Sequence, residues 1–168
     1  MTRTLIIDGY NVIHKVPEFQ VHLRKSLEAG RDALIRYCGQ WREKRKDFAG
    51  VHVVFDGDSS VEGSDHRMIR GVQVTYTHTR EDADDRIRKL VEYVPINQEC
   101  VVVTDDSELS SGIRVRRGKI MSAAEFGGAL RKGGRSLRGN VSEDAKAGLS
   151  PETERRINDE LRSIWASE

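Results

Sequence analysis

Acidic side chains recur in this chain where apolar runs stop. Asp8 follows "LII" in the segment "LIIDGYN", Asp56 closes "VVFDG", and Asp105 and Asp106 follow "VVT" in "VVTDDSEL". A further group, Glu81, Asp82, Asp84 and Asp85, crowds the segment "TREDADDRI". Ionised carboxylates brought into one crevice raise each other's pKa, and a divalent cation removes that cost. All-oxygen ligands of this kind suit Mg²⁺ or Mn²⁺, with waters and a phosphate oxygen completing the shell. The chemistry open to such a centre is phosphodiester hydrolysis, in which water is activated and the leaving oxygen stabilised. Each group also has a plain structural reading. Asp8-Gly9 is a common turn pair. Asp82 complements a helix dipole behind a Thr79 cap, and one of Asp105 and Asp106 caps a short helix over 107–111. Asp84 stands apart, off the apolar stripe of its helix and on a face shared with Glu81 and Arg88. Independent caps and turns explain this coincidence poorly.

Such acids matter only if a fold gathers them. Five apolar runs predict strands, at 4–8, 51–56, 72–76, 100–104 and, more weakly, 118–121. Several are continuous rather than alternating, the pattern of strands covered on both faces of a parallel sheet. Leu27, Leu34, Ile35, Cys38 and Trp41 mark one long helix over 23–46. Ala83, Ile87, Leu90, Val91 and Val94 mark a second, ended by Pro95, and both stripes have helical spacing. "SAAE" at 122–125 is a capping box that opens a third helix, with Ser122 as cap and Glu125 reaching back. Strands alternating with helices make an α/β domain with a mostly parallel sheet. Ligands of such sheets bind beyond the carboxyl ends of the strands, the edge to which the acids are delivered.

After residue 132 the composition shifts. A glycine-rich, basic stretch predicts a linker or loop over 133–149, and Ser150-Pro151 opens a C-terminal amphipathic helix over 150–168. Its stripe of Ile157, Leu161, Ile164 and Trp165 needs a cover: the domain over 1–132, another protein, or a second copy in a homodimer.

Lys and Arg number 28 against 27 Asp and Glu. This near balance excludes nothing about nucleic acid, because binding follows local potential. Candidate phosphate contacts are Arg31, Arg88, Arg114, Arg116, Arg131, Lys132 and Arg135, with the basic glycine-rich tract from Arg131 favoured as a strand clamp. Phosphate contacts would make binding salt-sensitive. Tyr10 reads either as a base-stacking ring or as local packing. Cys38 and Cys100 lack a paired-ligand spacing and read as buried thiols of a cytoplasmic protein. No apolar run approaches the ~20 residues that span a bilayer, and no signal-peptide pattern opens the chain. The histidines at 14, 22, 52, 66 and 78 are scattered, which disfavours zinc chemistry and a histidine base. No dinucleotide fingerprint, phosphate-cradling loop or Ser/His/Asp motif occurs.

In chain order, "LIIDGYNVI", "VVFDG", "REDADDRI", "VVTDDSEL" and "GKIMSAAEFGGAL" resemble the YacP-type NYN-domain ribonucleases of the PIN-like nuclease superfamily, over residues 3–132. The resemblance implies a three-layer α/β/α sandwich and a metal-dependent endoribonuclease using Mg²⁺ or Mn²⁺. By position it makes Asp8 a direct metal ligand and Asn11 the amide that orients Asp8, a water or a phosphate. Asp84 and Asp106 match the acids of the later motifs. Asp105 stands where the family has serine and Asp82 where it has a small hydroxyl residue, so the ligand is open between Asp105 and Asp106. Glu81 and Asp56 take water-mediated places. The implied partner is RNA, messenger or structured, with ribosome association as one mode of presentation. Two other readings stand beside this one. A PIN-like module could bind RNA without cutting it. A small-molecule phosphohydrolase could use a strand-end Asp as nucleophile, although Tyr10 occupies the place of that chemistry's second Asp.

Overall fold

The computed structural model of the chain describes residues 1–57, 66–78 and 81–135, with backbone alone for 133–135. The predicted helix over 150–168, its role in a homodimer and most of the predicted linker lie outside the described residues, as does the Thr79 cap.

Six strands and six helices follow one another: β1 (Thr2–Asp8), α1 (Gly9–Lys15), α2 (Pro17–Leu23), α3 (Leu27–Lys44), β2 (Phe48–Phe55), β3 (His66–Ile69), β4 (Val72–Tyr76), α4 (Ala83–Tyr93), β5 (Gln98–Val103), α5 (Ser107–Val115), β6 (Lys119–Met121) and α6 (Ala123–Arg135). The sheet runs β3-β4-β2-β1-β5-β6. All pairs are parallel except β3 with β4. The chain moves outward from β1 through β2 on one side and through β5 on the other. The β1/β5 gap is therefore the topological switch point, where a crevice opens at the carboxyl edge.

Strand parity sorts the core into two layers. Leu5, Ile7, Val51, Val53, Phe55, Val101 and Val103 pack with α1, α2, α3 and α6. Ile6, Val54, Cys100 and Val102 pack with α4 and α5 through Ala83, Ile87, Val91, Leu109 and Ile113. Successive side chains of a strand point to opposite faces, so a strand covered on both sides must be apolar throughout. This is the three-layer sandwich expected, and it has a direct consequence. Asp8 shares the parity of Ile6, which directs it toward the α4/α5 layer.

Three local features depart from the sequence reading. The helix expected over 23–46 is α3, over Leu27–Lys44, and a separate short helix, α2, precedes it. Pro17 opens α2, and Ser26 stops any continuation by capping α3, its hydroxyl accepting from the Ala29 N–H at 3.0 Å. "HRMIRGVQVTY" forms a tight hairpin, with Arg70 and Gly71 both at positive φ (52° and 76°). That pair of dihedrals defines the two-residue turn whose twist suits antiparallel strands. Finally, α6 runs to Arg135, so Arg131, Lys132 and Arg135 lie on a helix and not in the glycine-rich loop. The capping box that opens α6 is formed in both directions: the Glu125 N–H donates to the Ser122 hydroxyl at 3.1 Å, and the Ser122 N–H donates to Glu125 at 2.7 Å.

Candidate active site

Asp8 ends β1 and precedes α1, yet its carboxylate does not cap that helix. It accepts instead from the Thr104 hydroxyl, at 3.1 Å, across the β1/β5 gap. Thr104 is buried, and its oxygen also accepts the Asp106 N–H at 3.1 Å. One hydroxyl thus spends its single proton on Asp8 while holding the backbone that presents Asp106. Asn11, from the first turn of α1, crosses the same gap. Its Oδ1 accepts the Asp105 N–H at 3.0 Å. The amide expected to orient Asp8 or a phosphate therefore fixes the loop between β5 and α5.

Asp105 and Asp106 are separated by these bonds. The Asp105 carboxylate accepts the Ala123 N–H at 3.0 Å, which turns it toward the start of α6. Asp106 caps α5 by accepting the Leu109 N–H at 2.8 Å, and its charge acts on both Asp8 and Asp84. Asp84 comes from the first turn of α4, held behind an Asp82 cap that accepts the Asp85 N–H at 2.7 Å. Asp82 is thus itself the cap, the place the sequence reading gave to Thr79.

The electrostatics mark Asp8, Asp84 and Asp106 as one group. The Asp8 pKa rises from 3.8 to about 6, first through burial, with Asp84 and Asp106 adding to the rise and the Thr104 hydrogen bond opposing it. Asp84 is also pushed up, through burial, then Asp106 and Asp82, against Arg88. These are the signatures of partly desolvated carboxylates gathered together, with Arg88 offsetting the rise at Asp84 only in part. Among the described residues, no group of three or more His, Cys, Asp and Glu side chains is arranged to hold a metal ion. The donor chemistry nevertheless fits a hard divalent cation, since all the candidates are carboxylate oxygens and both cysteines are buried within core layers.

The remaining candidates divide. Asp56 lines the cleft with Asp8 and Asp84 and accepts the Thr77 hydroxyl at 3.1 Å. Glu81 precedes α4 and pairs with Lys89 at 2.6 Å and Arg86 at 3.7 Å. Its carboxylate is engaged by cations, and it does not share a helical face with Asp84 because the helix begins only at Ala83. Arg88 pairs with Asp85 at 3.2 Å while remaining near enough to act on Asp84. Arg116 pairs with Glu92, Arg131 with Glu18, and Arg114 and Lys132 are exposed. Arg31 donates to the Tyr10 hydroxyl at 3.0 Å, which puts it behind one wall of the cleft.

That cleft, about 400 Å³, is also lined by Tyr10, Asn11, His14 and Lys15. Lys15 and His14 were not among the sequence candidates. The signal was present: residues 11, 14 and 15 share one helical face if a helix starts directly after Asp8. Thr104 and Thr77 were missed as well, since a strand-end threonine carries no distinctive spacing.

The chain matches the family described as the YacP-like NYN domain over residues 5–167. The uncharacterized protein YacP of Bacillus subtilis (strain 168) is 32% identical over 165 residues, covering 95% of this chain and 82% of the relative. A crystal structure of a tryptophan-to-leucine mutant of Rae1 (YacP) from Bacillus subtilis is similar with a TM-score of 0.63 at 26% identity, over 99% of this chain and 86% of that one. A second crystal structure of Rae1 (YacP) has a TM-score of 0.64 at 24% identity, over 98% and 85% of the two chains, and speaks for the fold.

Proposed function

This chain belongs to the YacP-like NYN domain family, and from that premise we propose that it is a metal-dependent endoribonuclease. The family is a PIN-like nuclease family, which supports phosphodiester cleavage as the class of reaction. The observation that carries the proposal is the convergence of three acids from distant segments, in which Asp84 and Asp106 add to the burial that raises Asp8 to about 6 and Asp106 adds to the rise at Asp84. Such an arrangement is costly in the isolated fold and becomes favourable when a divalent cation enters.

Asp8, Asp84 and Asp106 would hold Mg²⁺ or Mn²⁺, and Asp56, which lines the same cleft, would take a water-mediated place. The chemistry such an ion supplies is activation of water and neutralisation of charge on the scissile phosphate. The chain's own residues do the rest. Thr104 orients Asp8 and the Asp106 backbone together. Asn11 keeps the loop that carries Asp106 against α1. Lys15 brings a cation into an otherwise acidic cleft and is placed to meet a phosphate of the RNA backbone.

Labelled RNA and DNA, each incubated with Mg²⁺, Mn²⁺ or EDTA beside an Asp8→Asn variant, test this reading. Metal-dependent cleavage of RNA that the variant loses is the expected result. Binding without cleavage under every condition would replace it with a non-catalytic RNA-binding module.

A further inference from the structure

Tyr10 is an unusual residue to find in the wall of an acidic cleft. It follows Asp8 by two positions, lines the same cavity as Asp8, Asp56 and Asp84, and is only partly buried. Its ring is held from two directions. The fully buried Phe55 ring lies 5.1 Å away at 51°, and the hydroxyl accepts the Arg31 guanidinium at 3.0 Å. Arg31 is itself steadied over the Tyr76 ring at 5.7 Å, and Tyr76 stacks on Phe55 at 5.4 Å. Three side chains, Arg31 from α3, Phe55 from β2 and Tyr76 from β4, thus fix the attitude of one partly exposed aromatic ring.

Resting on the ribonuclease reading above, we propose that Tyr10 is a stacking platform for one unpaired nucleobase beside the scissile phosphate, with Arg31 as its positioning residue. A ring whose orientation is set before binding loses little freedom when a base settles on it. Every base has a π-face, so the contact tolerates any sequence. It does require that the face be free, and duplex RNA hides its bases in the stack. The platform therefore selects single-stranded over paired RNA at the cutting site without reading base identity. One side of the ring packs against the core at Phe55, and a purely structural role would not also require it to line the cavity.

The test uses the full chain carrying Asp8→Asn, so that RNA is bound and not cut. Fluorescence anisotropy is read on a single-stranded RNA oligomer and on a series with one abasic nucleotide at each position in turn. With Tyr10 intact, base removal weakens binding by roughly 5- to 100-fold at one position and much less elsewhere. Adding Tyr10→Leu abolishes that position-specific loss. Tyr10→Phe and Arg31→Gln keep the ring but release its anchor, so both retain the loss in reduced form. The Tyr10→Phe variant keeps the test informative should Tyr10→Leu melt early. A flat abasic profile in the Tyr10-intact protein, or an unchanged profile after Tyr10→Leu, overturns the platform. Cleavage of RNA by the unsubstituted chain is scored separately, so that a failed platform leaves the nuclease reading standing. Absence of RNA binding by every protein overturns both.

Discussion

Replacing Asp8 with Asn should make the metal-free protein more stable while abolishing cleavage. The Asp8 pKa rises from 3.8 to about 6 on folding, chiefly by burial and then by Asp84 and Asp106. Because the folded value lies above the unfolded one, the native state holds the proton more tightly. Stability from this group is complete below about pH 4, is lost as pH rises toward 6, and stays lost above that. At 1.36 kcal/mol per pH unit, the difference amounts to about 3 kcal/mol at neutral pH. Asn carries no charge and can still accept the Thr104 hydroxyl, which now donates to the carboxylate at 3.1 Å. Imperfect pairing of the new NH₂ group offsets part of the gain, leaving roughly 1–3 kcal/mol, or a Tm rise of roughly 3–10 °C for a chain of this size. Thermal unfolding in EDTA from pH 4 to pH 8 measures it. The two proteins should converge near pH 4 and separate by pH 7. Addition of Mn²⁺ should then raise the Tm of the unsubstituted chain and leave Asp8→Asn nearly unmoved. A variant less stable than its parent at pH 7, or a difference that does not change with pH, would refute the reasoning.

Thr104→Val should raise the Asp8 pKa further, because the lost hydrogen bond opposes the rise, and should leave the Asp106 N–H without a partner. The acid limb of the pH–rate profile should move to higher pH and stability should fall by about 1–3 kcal/mol, with Thr104→Ser restoring most of both. Asp106→Asn should reduce cleavage by about 10²-fold or more, whereas Asp105→Asn, which weakens only the hold on Ala123, should cost little activity; equal losses would reopen the assignment. Gly9→Ala should destabilise by about 1–3 kcal/mol in urea unfolding, since its Cβ would sit 2.4 Å from the Phe55 ring and 2.9 Å from the Val54 carbonyl oxygen. Lys15→Gln should weaken RNA binding and lower the slope of log K against log salt by about 1.

Much of the architecture was legible along the chain. Continuous apolar runs announced strands covered on both faces, and helical stripes with Pro95 and the Ser122/Glu125 box set two helices in place. These are local signals, because each depends on periodicity or on hydrogen bonds within a few residues. The hairpin at Arg70-Gly71 and the break between α2 and α3 were also local, through Gly71, Pro17 and Ser26, and were open to a closer reading.

The site belongs to a different order of information. That acids cluster at strand ends was visible, and so was the family resemblance. That the charge of Asp106 acts on Asp8 while Asp105 turns to Ala123, that Glu81 is taken by Lys89 and Arg86, and that Asn11 holds the Asp105 amide were not. Nor was the place of Thr104 beside Asp8. The contacts that cross from β1 to β5 depend on which strand lies beside β1 and in what register, since Thr104 reaches Asp8 from 96 residues away only because β5 pairs with β1. A chain specifies its own turns and stripes residue by residue. The neighbours of a buried carboxylate, and hence its charge, are settled only when distant strands have met.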